Sequence, residues 1–190
     1  HNDMSSLEDQ LKKCNPDKVK LIVSDSVFSM EGDVADVVKI TELAKKYNAT
    51  VMIDEAHGIG VFGEGGRGVC NHFGVQDDVD LIMGTFSKSF ASLGGFIATD
   101  KEITNFLRHH SRSYIFTASV TPASVAAVNA SLDIMLSEPE RQKHLWDITH
   151  FALDSFRQMG LEIGHTSTPI IPLFIRDDYK TFRVTRDLLD

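Results

Sequence analysis

Short apolar runs alternate with segments of helical period along almost the whole chain. Val19–Asp25, Thr50–Asp54, Asp80–Met83 and Gly95–Thr99 are each too short for a helix and rich enough in Val, Ile, Leu and Met for a buried strand. Ser113–Thr117 and Pro169–Ile175 read as two further strands. Between them, Leu7–Lys13, Val37–Tyr47 and Lys101–His110 carry apolar residues at three- and four-residue spacing, as amphipathic helices do. Thr121-Pro122 opens a helix running to about Leu136, with proline at its first position. Glu138-Pro139 opens another, from Glu140 to Met159, which Gly160 ends, and a last helix begins at Tyr179. The segments 26–36 and 58–68 carry the glycines and read as loops. Strands alternating with helices predict an α/β protein with a mostly parallel sheet. The turn at Glu138-Pro139 is the expected boundary between residues 1–137 and 138–190.

Composition narrows the function classes. The chain has 190 residues, 42% hydrophobic and 24% charged, an ordinary globular balance. A formal net charge of −8 argues against non-specific binding to nucleic acid or to an anionic membrane surface. No apolar run approaches a membrane span. Two cysteines, Cys14 and Cys70, fit a reducing compartment and have no metal-ligand spacing, so a cytoplasmic protein without a metal centre is expected.

Two motifs mislead. Gly58-Ile59-Gly60-Val61-Phe62-Gly63 has the spacing of a dinucleotide fingerprint. Glu55-Ala56-His57 separates it from the strand, however, and Glu64–Gly68 stands where the helix should start, so a pyrophosphate would meet no helix N-terminus. Asp54-Glu55-Ala56-His57 spells a helicase box, but the chain has no phosphate loop of the G-x-x-x-x-G-K-[ST] kind.

The third candidate is built on Lys88, which sits among hydroxyls and glycines in Gly84-Thr85-Phe86-Ser87-Lys88-Ser89-Phe90 just after a buried strand. A lysine placed there suits Schiff-base chemistry, which needs a neutral amine. Asp54, at the carboxyl end of another strand, points into the crevice of an α/β sheet. A carboxylate there can keep a pyridine nitrogen protonated, as pyridoxal phosphate (PLP) requires. His57 lies three residues on, and the Thr85 and Ser87 hydroxyls could hold a phosphate. Singly, Asp54 could be a helix cap, His57 a core histidine and Lys88 a surface residue; their combination is what points to a cofactor.

Four linked segments then carry a resemblance: Val27-Phe28-Ser29-Met30-Glu31-Gly32-Asp33, Asp54-Glu55-Ala56-His57-Gly58, Gly84-Thr85-Phe86-Ser87-Lys88 and Phe116-Thr117-Ala118-Ser119. In this order they resemble the α-oxoamine synthase family of fold-type I PLP-dependent acyltransferases, which condense an amino acid with an acyl-CoA and release carbon dioxide and CoA. The resemblance implies a three-layer α/β large domain over residues 1–137, with a connecting helix and the start of a small α+β domain in 138–190. It implies that Lys88 is the Schiff-base lysine and Asp54 the partner of the ring nitrogen, with His57 and Ser29 near the phenolic oxygen. Thr85 and Ser87 would be phosphate or active-site hydroxyls, and Thr117 and Ser119 would reach the phosphate of a partner subunit in a homodimer. The run from Met83 to Phe96 is most similar to the branch that joins L-serine to a long-chain acyl-CoA. Glycine C-acetyltransferase (2-amino-3-ketobutyrate CoA ligase) and 8-amino-7-oxononanoate synthase chemistry are the alternatives within the family. Another fold-type I aminotransferase and a catalytically silent subunit are the alternatives outside it. No counterpart of the family's upstream ring-stacking residue or downstream carboxylate-binding arginine is found, so a central piece of a longer enzyme is expected.

Overall fold

The computed structural model describes residues 1–189. Four strands form one sheet in the order β1 (Leu21–Asp25), β2 (Thr50–Asp54), β3 (Leu81–Thr85) and β4 (Gly95–Thr99). The first three run parallel, and β4 is antiparallel to β3. This is the mixed, mostly parallel α/β sheet that the sequence pattern predicts. The register pairs Asp25 with Asp54 and Asp54 with Met83, so the last residues of β1 and β2 stand side by side.

Helices α1 (Met4–Lys13) and α2 (Val37–Tyr47) cover one face of β1 and β2. Each begins on an aspartate that accepts a backbone N–H from its first turn, Asp3 from Ser6 and Asp36 from Lys39, both at 2.9 Å. Their apolar stripes meet Ile22, Val51 and Ile53 in the main core. Burying a side chain such as Ile53 is worth about 1.5–3 kcal/mol, so this face holds the sheet. The other face of β1, with Leu21 and Val23, is exposed.

After β2 the glycine-rich stretch makes one tight turn at Glu64–Gly66 and a single helical turn, α3 (Val69–His72). Helix α4 (Lys101–His110) follows β4, and then come α5 (Arg112–Phe116), α6 (Pro122–Ser137), α7 (Glu140–Gln158) and α8 (Asp178–Leu189). Val128 of α6 packs on Ile59 and Phe90 in a second, smaller core under the loop that carries Lys88. Trp146 of α7 donates its Nε1–H to the Val61 carbonyl at 2.9 Å and stacks edge-on against Phe62.

Two expected strands are corrected. Residues 112–116 are helical: the Ser111 hydroxyl caps the first turn by accepting the Tyr114 N–H, and among the described residues no strand lies alongside to pair with Tyr114, Ile115 and Phe116. Residues 169–175 run without a ladder. Pro169 and Pro172 bring no N–H, and two of the remaining N–H groups bond elsewhere. Ile170 donates to the Thr168 hydroxyl, and Phe174 donates to the Glu162 carbonyl. Three helices are longer than expected at one end, α1 starting at Met4, α6 ending at Ser137 and α8 starting at Asp178, and the four-residue α3 has no counterpart in the sequence reading.

Candidate active site at the carboxyl edge of the sheet

Parallel strands deliver their last residues to one edge, and here those residues are Asp25, Asp54 and Thr85. Asp54 is half-buried, and its Oδ1 accepts the Ala56 N–H at 2.8 Å. Oδ2 makes no hydrogen bond among the described residues. The backbone then turns tightly: the Gly58 and Ile59 N–H groups both donate to the Glu55 carbonyl, at 2.9 and 3.0 Å, and this turn holds His57 over the edge.

Lys88 lies in the connection from β3 to β4, which is fastened at several points. Phe86 N–H donates to the Gly94 carbonyl at 2.9 Å, Ser92 N–H to the Phe86 carbonyl at 2.8 Å, and the Ser89 hydroxyl to the Ile59 carbonyl at 2.7 Å. Phe90 is buried at its base and meets Phe86 edge-on. The lysine side chain itself is exposed and makes no hydrogen bond or ion pair among the described residues. At the start of the loop, the Thr85 and Ser87 hydroxyls are 2.8 Å apart.

The charges of this edge act on one another. Partial burial raises the Asp25 carboxyl above its ordinary value of 3.8, and the neighbouring Asp54 adds to the rise, while His57 and Lys88 oppose it. Burial holds the His57 imidazole below its ordinary 6.5, helped by the Lys88 charge and opposed by Asp25 and Asp54. Burial thus favours the neutral form of His57. Asp54, His57 and Lys88, each singled out from the sequence, thus meet in one place, and Thr85 and Ser87 flank them. Ser29 is exposed on the turn after β1, and Thr117 and Ser119 are exposed beyond α5; none of the three makes a side-chain hydrogen bond among the described residues.

Two carboxylates escaped the sequence reading. Asp25 belongs to the site only because β1 and β2 are neighbours in register. Glu55 is the one carboxylate among the described residues that is fully buried, at 0% exposure. Its Oε2 accepts the Ser26 hydroxyl at 2.7 Å and the Val69 N–H at 3.0 Å, and its Oε1 accepts the Cys70 N–H at 2.7 Å. Gly58 and Gly68 make room for it. A Cβ on Gly58 would stand 1.9 Å from Oε2, and one on Gly68, whose φ is +105°, would stand 2.7 Å from the carboxyl carbon. Burial, with Glu55 beside it, pushes the Cys70 thiol well above the usual thiol range, so it is not a nucleophile. Cys14 is free and exposed.

The raised Asp25 carboxyl has a consequence for stability. An acid whose folded pKa is raised binds its proton more tightly in the folded state. The folded form therefore loses stability as pH rises from 3.8 through the raised value. Asp25→Asn removes that loss. Thermal unfolding of the whole protein should show a higher Tm for Asp25→Asn than for wild type at pH 7, and no difference at pH 3. A lower Tm at pH 7 would show that the Asp25 charge is stabilising instead.

Residues 1–190 match the family described as aminotransferase class I and II. A serine palmitoyltransferase of Bacteroides thetaiotaomicron is 62% identical over 190 residues, covering 100% of this chain and 48% of that protein. An 8-amino-7-oxononanoate synthase of Petrotoga mobilis is 45% identical over 183 residues, covering 95% of this chain and 47% of that protein. Among solved structures, a serine palmitoyltransferase from S. paucimobilis with a bound PLP–myriocin aldimine superposes with a TM-score of 0.89 at 33% identity. That match covers 95% of this chain and 47% of the other. The chain spans about half the length of the curated relatives it matches, 48% for the Bacteroides protein. No helix among the described residues is long and apolar enough to cross a membrane. A match over all 190 residues, a fold shared with solved serine palmitoyltransferases, and the motifs around Asp54 and Lys88 lead to one conclusion: the chain belongs to the aminotransferase class I and II family, in its α-oxoamine-synthase-like, fold-type I branch.

Proposed function

We propose that the whole protein is a PLP-dependent acyltransferase that condenses L-serine with a long-chain acyl-CoA, releasing CoA and carbon dioxide. The observation that carries this reading is the meeting of Asp54, His57 and Lys88 at one sheet edge, in a chain 62% identical to a serine palmitoyltransferase. The 8-amino-7-oxononanoate synthase relatives, at 45% identity and below, support the same reaction class with a different substrate pair as the second reading.

The donor set fits the cofactor. Asp54 offers a free carboxylate oxygen at a strand end, Lys88 an unpaired amine on a fastened loop, and Thr85 and Ser87 two adjacent hydroxyls of the kind that hold a phosphate. When bound, PLP supplies an electron sink for the electron pair left on the amino acid's α-carbon. Asp54 would hold the proton on the pyridine nitrogen, and Lys88 would take the α-proton on Nζ. His57, whose burial favours the neutral imidazole, would offer a ring N–H to a developing negative oxygen, and the exposed Ser29 hydroxyl would assist it.

Residues 1–137 are assigned to the large domain, and 138–190 to the connecting helix and the start of the small one. The active form is a homodimer with the site at its interface. The exposure of Tyr114, Ile115 and Phe116, the last at 82%, supports an interface there, with Thr117 and Ser119 reaching toward the partner's site. A cytoplasmic location goes with this reading and with two free cysteines.

The test uses the full-length protein: its visible spectrum, borohydride reduction, and mass-spectrometric mapping of the modified peptide. A pyridoxyl group on Lys88 is expected, followed by fastest CoA release from L-serine with a long-chain acyl-CoA. Faster release from glycine with acetyl-CoA would change the substrate assignment. A colourless protein left unmodified in excess PLP would end the enzyme reading.

A further inference from the structure

We propose that Glu55 is a positioning residue for this site: its buried carboxylate locks the turn that carries His57, just after Asp54, onto Ser26 and the backbone at residues 69–70. The inference rests on the PLP-enzyme reading and deepens it.

A buried carboxylate is costly unless hydrogen bonds replace its water. Glu55 has three such bonds, at 2.7, 3.0 and 2.7 Å, from three donors remote from it in sequence. Its backbone is fixed as well. The Glu55 N–H donates to the Met83 carbonyl of β3 at 2.8 Å, and its carbonyl accepts the two N–H groups that close the turn around His57. Ser26 is tied back in turn, donating its N–H to the Asp54 carbonyl at 2.8 Å. One residue therefore joins the ends of β1, β2 and β3 and the start of α3 at the point where Asp54 and His57 leave the sheet. A space-filling role would call for an apolar side chain, because packing alone does not need a charge. The Cα faces of Gly58 and Gly68 are moulded to the carboxylate instead. The carboxylate thus fixes the backbone turn from which the half-buried His57 side chain projects.

The test is Glu55→Gln in the full-length holoenzyme. The amide has the shape of the carboxylate, but it turns an N–H₂ toward at least one of the three donors. Turnover should fall about 10- to 100-fold, the cost of a small misplacement at a reacting centre. KM for the amino acid should stay within about threefold. The limb of the pH–rate profile that reports His57 should move upward, because an imidazole released toward water regains its ordinary pKa. The pH titration of the bound cofactor's visible band, read without turnover, should also be displaced. Unchanged turnover together with an unchanged profile would overturn the proposal. If Glu55→Gln does not fold, Ser26→Ala removes one of the three bonds without a new donor. The same upward shift at smaller amplitude then supports the proposal, and a wild-type profile and rate overturn it. A wild-type protein that takes up no PLP removes the enzyme reading and this role together; an active wild type with an indifferent Glu55→Gln removes only this role.

Discussion

Lys88→Ala in the full-length enzyme should cut turnover at least about 10³-fold while leaving the fold intact, because the residue is asked to act at the reacting atoms. The structure separates the two effects cleanly. Lys88 is exposed and makes no hydrogen bond or ion pair among the described residues, so its truncation removes no packing. Its loop is held by the Phe86, Ser92 and Ser89 hydrogen bonds and by buried Phe90, none of which involves the amine. The Tm should therefore stay within a few degrees of wild type, while borohydride fixes no cofactor on the peptide containing residue 88. A variant with normal turnover would dismiss the lysine from the mechanism. An unfolded variant would show that the loop depends on its side chain after all.

Asp54→Asn is the second large loss, expected at about 10²- to 10⁴-fold in turnover. The amide oxygen can still accept the Ala56 N–H that now reaches Oδ1 at 2.8 Å, so the local backbone keeps its anchor. Only the charge at Oδ2 goes, and with it the means of holding a proton on a pyridine nitrogen. Cofactor should still bind, and the Lys88 peptide should still be modified on reduction. Turnover within about threefold of wild type would assign the ring-nitrogen role to another group, with Asp25, its neighbour in register, the first to examine.

Much of this was legible in the sequence because the chain spells its sheet plainly. All four strands are short apolar runs ending in polar residues, and the helices between them keep a steady period. The two misread segments show where local pattern is weakest. Tyr114, Ile115 and Phe116 have strand propensity, yet a strand needs a neighbour to pair with, and none lies beside them among the described residues. The run from Pro169 to Ile175 looks apolar enough for a strand, but its prolines leave gaps in any ladder. At the site, Asp54, His57 and Lys88 could be read from their placement after apolar runs. Glu55 could not, because its meaning lies in contacts with residues 26, 69 and 70, which nothing local foretells. Asp25 stayed hidden for the same reason: only the register of two strands, joined through a helix, makes it the neighbour of Asp54.

The single antiparallel pair in the sheet also divides the site in time and entropy. Thr85 and Gly95 face each other across one short loop, whereas Asp54 meets Met83, and Asp25 meets Asp54, only after long excursions of chain. Closing the longer excursions costs about 1 kcal/mol more than closing the short one, by the logarithmic growth of loop-closure entropy. The amine and the hydroxyls beside it thus rest on the most local contact of the sheet. The carboxylate and imidazole that face them depend on the least local ones, so the two halves of the chemistry are brought together at unequal cost.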